Sequence, residues 1–507
     1  MKHSQRVIRA ALLALIVILA IYDIERVPPL WWDEGWTLSV ARNWEEQGHY
    51  GRLSSGQLVA PGLEAAFPIT AAIGFSFHLF GTGVYQARFV IVLLLLGTLF
   101  LLYYLANRLY NSSIAWATLA CAVLLPADHS LHPIFAGRQV LAEIPSLFFL
   151  LASYVCLLSL PRRKFFACIF AAILAALAIN LKIQALPFWI LSMLVATVLS
   201  ARAGTWRVSI LFGVTLALSL VGWQLLPWLW RYFLQEPLYG RGILTGLFEV
   251  TTLVGSVPAR MFSVIVLVLF GLPTFLGLCF AGRGFYVGRD WLVTHTGLIR
   301  FSLFVLVATW FVWYLVFSVS WIRYLFPATF VGSIFVAATL CELTKSFNCS
   351  FIMEQFLRAF RLLKFDRRSL GVLLAGVLIC AFVPRTVKMF YKLYVRDADA
   401  SVQELARFLN TQTPPGSLVE TYDSELFFLL DRPYHYPADQ IHVELIRKKF
   451  LYDDTVSIEY DPLKANPDFL VVGPHSKQWR LYDRVLKTEA FQLLRTYNRY
   501  QLYERLR

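Results

Sequence analysis

Two acids side by side, Asp33-Glu34, stand in Trp31-Trp32-Asp33-Glu34-Gly35-Trp36, just beyond a first apolar run. A positioned carboxylate can take the proton of an attacking hydroxyl or amine, and indole rings favour the headgroup layer, where one edge is apolar and the other wet. The motif reads as a reaction centre at a membrane surface; the plainer alternative is a loop start with interfacial tryptophans. A third acid, Glu143, lies a turn inside an apolar run in Gly137-Arg138-Gln139-Val140-Leu141-Ala142-Glu143-Ile144-Pro145. A charge there costs on the order of 2.5 kcal/mol or more unless compensated. Arg138 is five residues away, roughly 140° round a helix, so the two do not stack as a helical ion pair. Glu143 is expected instead to face a cavity shared with the first loop. Lys182, in Leu181-Lys182-Ile183-Gln184, and Arg323-Tyr324, in Trp321-Ile322-Arg323-Tyr324-Leu325-Phe326-Pro327, interrupt apolar runs at the same predicted surface. Each cation alone is an ordinary anchor. Together with the acids, Arg138, Lys182 and Arg323 suit group transfer from a lipid phosphate, the cations stabilising the departing phosphate while a carboxylate activates the attacking group.

Asp128-His129-Ser130-Leu131-His132, with Asp33 or His49, could bind a divalent metal, against the plainer reading of hydrated loop residues. No metal ligand is assigned and no cofactor is certain. Gly282 to Gly288 is glycine-rich but no Lys-Ser or Lys-Thr follows, so a soluble nucleotide donor is not supported.

The elements that must position these residues are membrane helices. Of the 507 residues, 58% are hydrophobic and only 15% charged, which excludes an ordinary soluble enzyme. Apolar runs able to cross about 30 Å of hydrocarbon occur near 7–24, 84–106, 139–160, 165–181, 183–200, 208–230, 261–281, 297–318, 324–343 and 369–389, and a shorter one at 113–126 makes about eleven. No small-residue cleavage site follows the first, so it is expected to stay as a span. The net charge of +14 does not imply nucleic acid, because the basic residues are distributed by loop: Lys2, Arg6 and Arg9; Arg162, Arg163 and Lys164; Arg202 and Arg207; Arg283 and Arg289; Arg358, Arg361, Lys364, Arg367 and Arg368. All fall on one side if the N-terminus is cytoplasmic, which puts the C-terminus outside. The same parity makes Ala65 to Phe80 an interfacial helix within a first outer loop at about 25–83. The seven cysteines lie in spans or inside, so no disulfide framework is implied. Both glycosylation-like triplets, at Asn111 and Asn348, are also inside, which leans towards a prokaryotic plasma membrane.

After Lys388 the composition turns polar, giving two units, 1–395 in the membrane and a soluble outer unit at 396–507. In the second, Ser401 to Asn410 reads as a helix with Ser401 as N-cap and Glu404 completing a capping box. Leu418 to Tyr422, Asp468 to Val472 and Tyr500 to Tyr503 read as strands of a small α/β fold, with Asp423, His435 and His475 expected at its surface.

On Asp33-Glu34, Phe80-Gly81 to Ala87-Arg88, Arg138 to Pro145, Leu181-Lys182 and Arg323 to Pro327, the chain resembles the GT-C-fold glycosyltransferases that use polyprenyl-phosphate sugars. It looks most like relatives of protein O-mannosyltransferases and of lipid A aminoarabinose transferases. Two departures are Lys182-Ile183, where relatives have Lys-Gly, and a first loop without their Glu-Lys-Pro-Pro run. The resemblance implies a sugar donor on a polyprenyl phosphate in the bilayer, an extracytoplasmic acceptor, and catalytic acids falling on Asp33, with Glu34 beside it, and on Glu143. It implies donor-phosphate binding by Arg138, Lys182, Arg323 and Tyr324. The rival readings are a transporter or flippase of lipid-linked sugars, which would show an internal repeat that this sequence lacks, and a non-catalytic assembly or sensor protein.

Overall fold

The structure, a computed structural model, describes residues 2–62, 66–160, 164–234, 251–288, 294–361, 366–396, 399–451 and 455–506. Arg162, Arg163, Arg289 and Lys364, used above for topology, lie outside the described residues, as do Leu63 and Glu64 of the first loop.

Each predicted apolar run forms a helix over most of its described length. Seven helical stretches are long and apolar enough to cross a membrane by length and composition: Val84–Leu109, Ala185–Arg202, Trp206–Leu234, Val257–Val287, His295–Val316, Ile322–Leu343 and Arg367–Val395. The other runs form Lys2–Ile21, Ser112–Leu124, Glu143–Leu158 and Lys164–Leu181. Small residues permit close helix approach: Ala171, Ala175 and Ala178 have no exposure, and a Cβ added at Gly277 would crowd the backbone of Val336. Large apolar side chains face outwards on these helices, such as Leu93 at 55% and Phe100 at 65% exposure, as a hydrocarbon solvent favours.

The first loop is ordered rather than extended. It carries helix Trp32–Gln47, a hairpin of β1 (Arg52–Ser54) and β2 (Gln57–Val59), and helix Phe67–Phe80 at the run read as interfacial. The helix predicted to begin near 139 starts only at Glu143, after the four-residue turn of helix Pro133–Ala136.

Beyond residue 399 a five-stranded mixed sheet forms from β3 (Val419–Thr421), β4 (Tyr434–His435), β5 (Phe469–Val472), β6 (Phe491–Tyr497) and β7 (Tyr500–Arg505), in the order β4-β3-β5-β7-β6. β3 runs parallel to both β4 and β5, while β7 is antiparallel to β5 and β6. Helix Ser401–Gln412 forms where predicted, but its cap differs: Ala400 occupies the N-cap position, and Asp399 Oδ1 accepts from Ser401 N at 2.9 Å. The capping box expected at Ser401 and Glu404 is therefore absent, because the acid before the helix takes that task.

This α/β unit sits directly on the first loop. One hydrophobic cluster runs from the membrane helices through Trp32 and Trp36 into Tyr422 and Phe428. The contact depends on a glycine: a Cβ added at Gly35 would overlap the Ser424 carbonyl. Arg52 clamps the other edge, bonding Asp439 at 2.7 Å while its guanidinium lies 4.8 Å from the Trp36 ring and 4.9 Å from that of Tyr436.

Candidate functional site

Asp33 and Glu34 both fall in the first turn of helix Trp32–Gln47, where the helix dipole favours carboxylates. Their partners differ. Glu34, with no exposure, accepts from Arg88 twice, Nε at 3.0 Å and Nη2 at 2.8 Å, and from the backbone N–H groups of Val140 and Trp31, both at 2.8 Å. Arg88 in turn donates to the carbonyls of Ile24 and Pro28. Glu34 is thus a saturated internal brace and is not among the residues lining the cavity described next, contrary to its expected catalytic role.

Asp33 opens into a cavity of about 1080 Å³ together with Lys182, Arg323 and Tyr324. Arg323 Nη1 donates to Asp33 Oδ2. Lys182 Nζ pairs with Glu143 Oε1 at 2.8 Å. Between the two pairs lies the Tyr324 ring, 5.7 Å from the Lys182 ammonium and 5.8 Å from the Arg323 guanidinium. Two cations, each already matched to a carboxylate, therefore flank one aromatic face. Burial alone would raise the Asp33 carboxyl, but Arg323 beside it, with smaller help from Lys182 and His442, holds it below the usual carboxylate value. Asp33 is consequently an ionised hydrogen-bond acceptor throughout the neutral range. Glu143 does not face a space shared with the first loop as expected; it is 4% exposed at the start of helix Glu143–Leu158 and serves Lys182.

Arg138 does not join this group. Its guanidinium donates to the carbonyls of Leu19, at 2.9 Å, and Tyr22, at 2.5 Å, and to the Tyr394 hydroxyl. It satisfies carbonyls at the end of helix Lys2–Ile21, a task that follows from residue 138 lying in the turn before the helix rather than on it. The candidate metal residues are also occupied locally. Asp128 Oδ1 accepts from Ser130 N at 2.8 Å, and His132, without exposure, bonds Val123 O through Nε2 at 2.8 Å and accepts from Ile134 N through Nδ1 at 3.2 Å. Among the described residues, no group of three or more His, Cys, Asp or Glu side chains is arranged to hold a metal ion.

The sequence reading missed the cavity's other wall. Trp32 donates through Nε1 to Tyr422 O at 2.8 Å and receives the Ser424 hydroxyl at its own carbonyl. Its ring lies 4.6 Å from that of His442 and 5.6 Å from that of His475, both of which line the cavity. His442 Nδ1 shares a hydrogen bond of 2.6 Å with the Tyr422 hydroxyl. Burial pushes this imidazole down to about 4, although Asp33 pulls the other way. Asp423, expected at the surface, is fully buried; it accepts from His475 N at 2.8 Å, Gly473 N at 3.0 Å and the Ser476 hydroxyl at 2.7 Å, fixing the turn that presents His475. His435 is likewise engaged, with Glu420 at 2.6 Å. The Asp423 and His475 departures share one cause: β3 and β5 are parallel neighbours, so the residues after their carboxyl ends converge, as binding groups often do on such sheets. The Gly473-Pro474 step before His475 was the available signal.

No protein-family model matches the sequence, and no curated protein matches it. Solved structures do. ArnT from Cupriavidus metallidurans bound to undecaprenyl phosphate aligns with a TM-score of 0.64 over 97% of this chain and 97% of its own, at 15% identity. An Archaeoglobus fulgidus oligosaccharyltransferase tethered to an acceptor peptide aligns with a TM-score of 0.54 over 98% of this chain and 74% of its own, at 12% identity. AglB from the same organism, in complex with an inhibitory peptide and a dolichol-phosphate, gives a TM-score of 0.52 at 12% identity, over 94% of this chain and 71% of its own. At these identities the likeness establishes the fold: the chain is a polytopic α-helical membrane protein of GT-C-like architecture, with a small C-terminal α/β unit.

Proposed function

We propose that the chain is a membrane glycosyltransferase that moves a sugar from a polyprenyl-phosphate donor to a hydroxyl- or amine-bearing acceptor. The observation that carries this reading is the gathering of Asp33, Lys182, Arg323 and Tyr324 around one cavity. Two structural neighbours support it, since one holds undecaprenyl phosphate and another a dolichol-phosphate. No observation favours the transporter.

The donor phosphate would engage Lys182 and Arg323 with Tyr324 between them, competing with Glu143 and Asp33 for the two cations. Drawing Arg323 towards the phosphate frees Asp33 to accept a hydrogen bond from the acceptor. In an inverting displacement, the acceptor oxygen or nitrogen bonds to the anomeric carbon as the bond from that carbon to the phosphate oxygen breaks. The electron pair leaves with polyprenyl phosphate, where Lys182 and Arg323 stabilise it. Asp33 receives the acceptor's proton as its acidity rises. Glu143 sets the position of Lys182, Glu34 braces the first loop through Arg88, and Arg138 holds the end of helix Lys2–Ile21. Within this reading, 1–395 is the membrane unit and 396–507 an extracytoplasmic unit, in a prokaryotic plasma membrane with the N-terminus cytoplasmic.

The test is incubation of the purified protein in nanodiscs with a panel of polyprenyl-phosphate sugars and saccharide, lipid and peptide acceptors. Release of polyprenyl phosphate with transfer of the sugar is expected for at least one donor, and its loss in Asp33→Asn. Failure of every donor to release polyprenyl phosphate would overturn the assignment.

A further inference from the structure

The charged residues lining the cavity, Asp33, Lys182, Arg231 and Arg323, all precede residue 395. The lining from the C-terminal unit is His442, Ile446, Phe450, His475, Gln478 and Trp479, in which neither a carboxylate nor a lysine or arginine occurs. Burial keeps both imidazoles uncharged at neutral pH, lowering His442 to about 4 and holding His475 below its usual value. Lys449 is not part of the lining; its ammonium lies 4.8 Å from the Trp479 ring. The wall thus offers aromatic faces with a few uncharged polar groups. Trp32 and His442 are tilted at 33°, and Trp31 meets His475 edge-on at 5.4 Å. With Nδ1 engaged by Tyr422, the remaining ring nitrogen of His442 is the one a ligand can meet.

A sugar ring has an apolar C–H face and a rim of hydroxyls, which matches aromatic surface beside neutral donors and acceptors. A phosphate or ammonium group held by this wall would gain no counter-charge from the C-terminal unit itself; the charges within reach, Asp33 and Arg323, belong to residues before 395 and are already paired with each other. We propose that the C-terminal unit forms a saccharide subsite that takes an uncharged sugar ring, with His442 and His475 as specificity-determining residues. The ring can belong to the acceptor or to the donor's transferred sugar; only that distinction rests on the glycosyltransferase reading.

The first arm of the test measures binding alone, by intrinsic tryptophan fluorescence of the full-length protein in nanodiscs, with inorganic phosphate in excess to occupy Lys182 and Arg323. A neutral oligosaccharide is expected to bind about tenfold or more tightly than its phosphorylated counterpart, and His442→Ala and His475→Ala should each weaken it by about tenfold. His475→Lys should instead improve binding of the phosphorylated sugar, while melting curves verify that all variants fold. The second arm compares KM values: a rise for the acceptor alone puts the acceptor ring at the wall, and a rise for the donor alone puts the transferred sugar there. Absence of neutral saccharide binding, equal or tighter binding of the phosphorylated form, or unchanged binding in both alanine variants would overturn the proposal. A wild-type protein that binds neutral saccharide but releases no polyprenyl phosphate would instead remove the transferase reading and leave the subsite standing.

Discussion

Asp33 and Glu34 are adjacent in the chain yet separable by experiment. Glu34→Gln leaves the Arg88 guanidinium buried without its charge partner, a change of the kind that costs about 3–5 kcal/mol, so a large drop in melting temperature is expected. Asp33→Asn leaves Arg323 beside a cavity large enough for water, so the melting temperature should stay near wild type while turnover is lost. Equal destabilisation by the two variants would contradict this division. Lys182→Ala and Arg323→Ala should chiefly raise the donor KM, by about tenfold to a hundredfold, corresponding to roughly 1.5–3 kcal/mol for a hydrogen bond to a charged group. Steady-state kinetics at varied donor concentration would measure it. The acid pair itself was legible because two carboxylates among tryptophans after an apolar run are unusual. Which acid meets the cavity was not, since that depends on Arg88 and Arg323, 54 and 290 residues distant from their partners.

Docking of helix Trp32–Gln47 against the C-terminal unit turns on the absence of a side chain at Gly35. Gly35→Ala pushes against the Ser424 backbone, which cannot yield as a flexible side chain can. The expected result is faster limited proteolysis of the segment after residue 399, with the helical circular dichroism of the membrane part retained. The α/β unit also has a pH signature with two opposed arms. Burial lowers His442 from 6.5 to about 4, so between those values the unfolded chain binds a proton that the folded chain does not, and stability falls as pH is lowered through that window. Glu425 runs the other way. Burial, and then the Asp423 charge, raise it from 4.5 to about 8, so the folded chain keeps a proton that the unfolded chain has released, and stability falls as pH rises through that window. Thermal melts should therefore decline from pH 7 to 8, where the histidine is already mostly neutral in the unfolded state as well, and Glu425→Gln should flatten that decline. A wild-type melting temperature constant over that interval would refute it. Helices were readable because long apolar runs in a chain this poor in charge have few alternatives. β4, with two residues, and β6, whose interior is exposed, lacked the alternation that marks a strand.

For the molecule as a whole, the loop distribution of lysine and arginine predicts that reporters fused after Arg163 and after Asp399 fall on opposite sides, inner and then outer. Reporter activity on the same side would overturn this orientation and separate the proposed saccharide wall from the proposed side of acceptor supply. Span positions were legible from hydropathy alone, whereas the cavity was not, because it closes only through contacts such as Trp32 to Tyr422, 390 residues apart. That separation has a consequence for the order of synthesis. Asp33 leaves the ribosome early, Lys182 and Arg323 much later, and His442 and His475 near the end. Until the segment around Ser424 has settled on Gly35 and the turn carrying His475 has formed, a nascent chain has its paired acids and cations without the wall that completes the cavity. On the proposed transferase reading, a lipid-linked sugar meeting such a half-made chain would find the saccharide wall missing, which would hold an unfinished protein back from squandering a donor on hydrolysis.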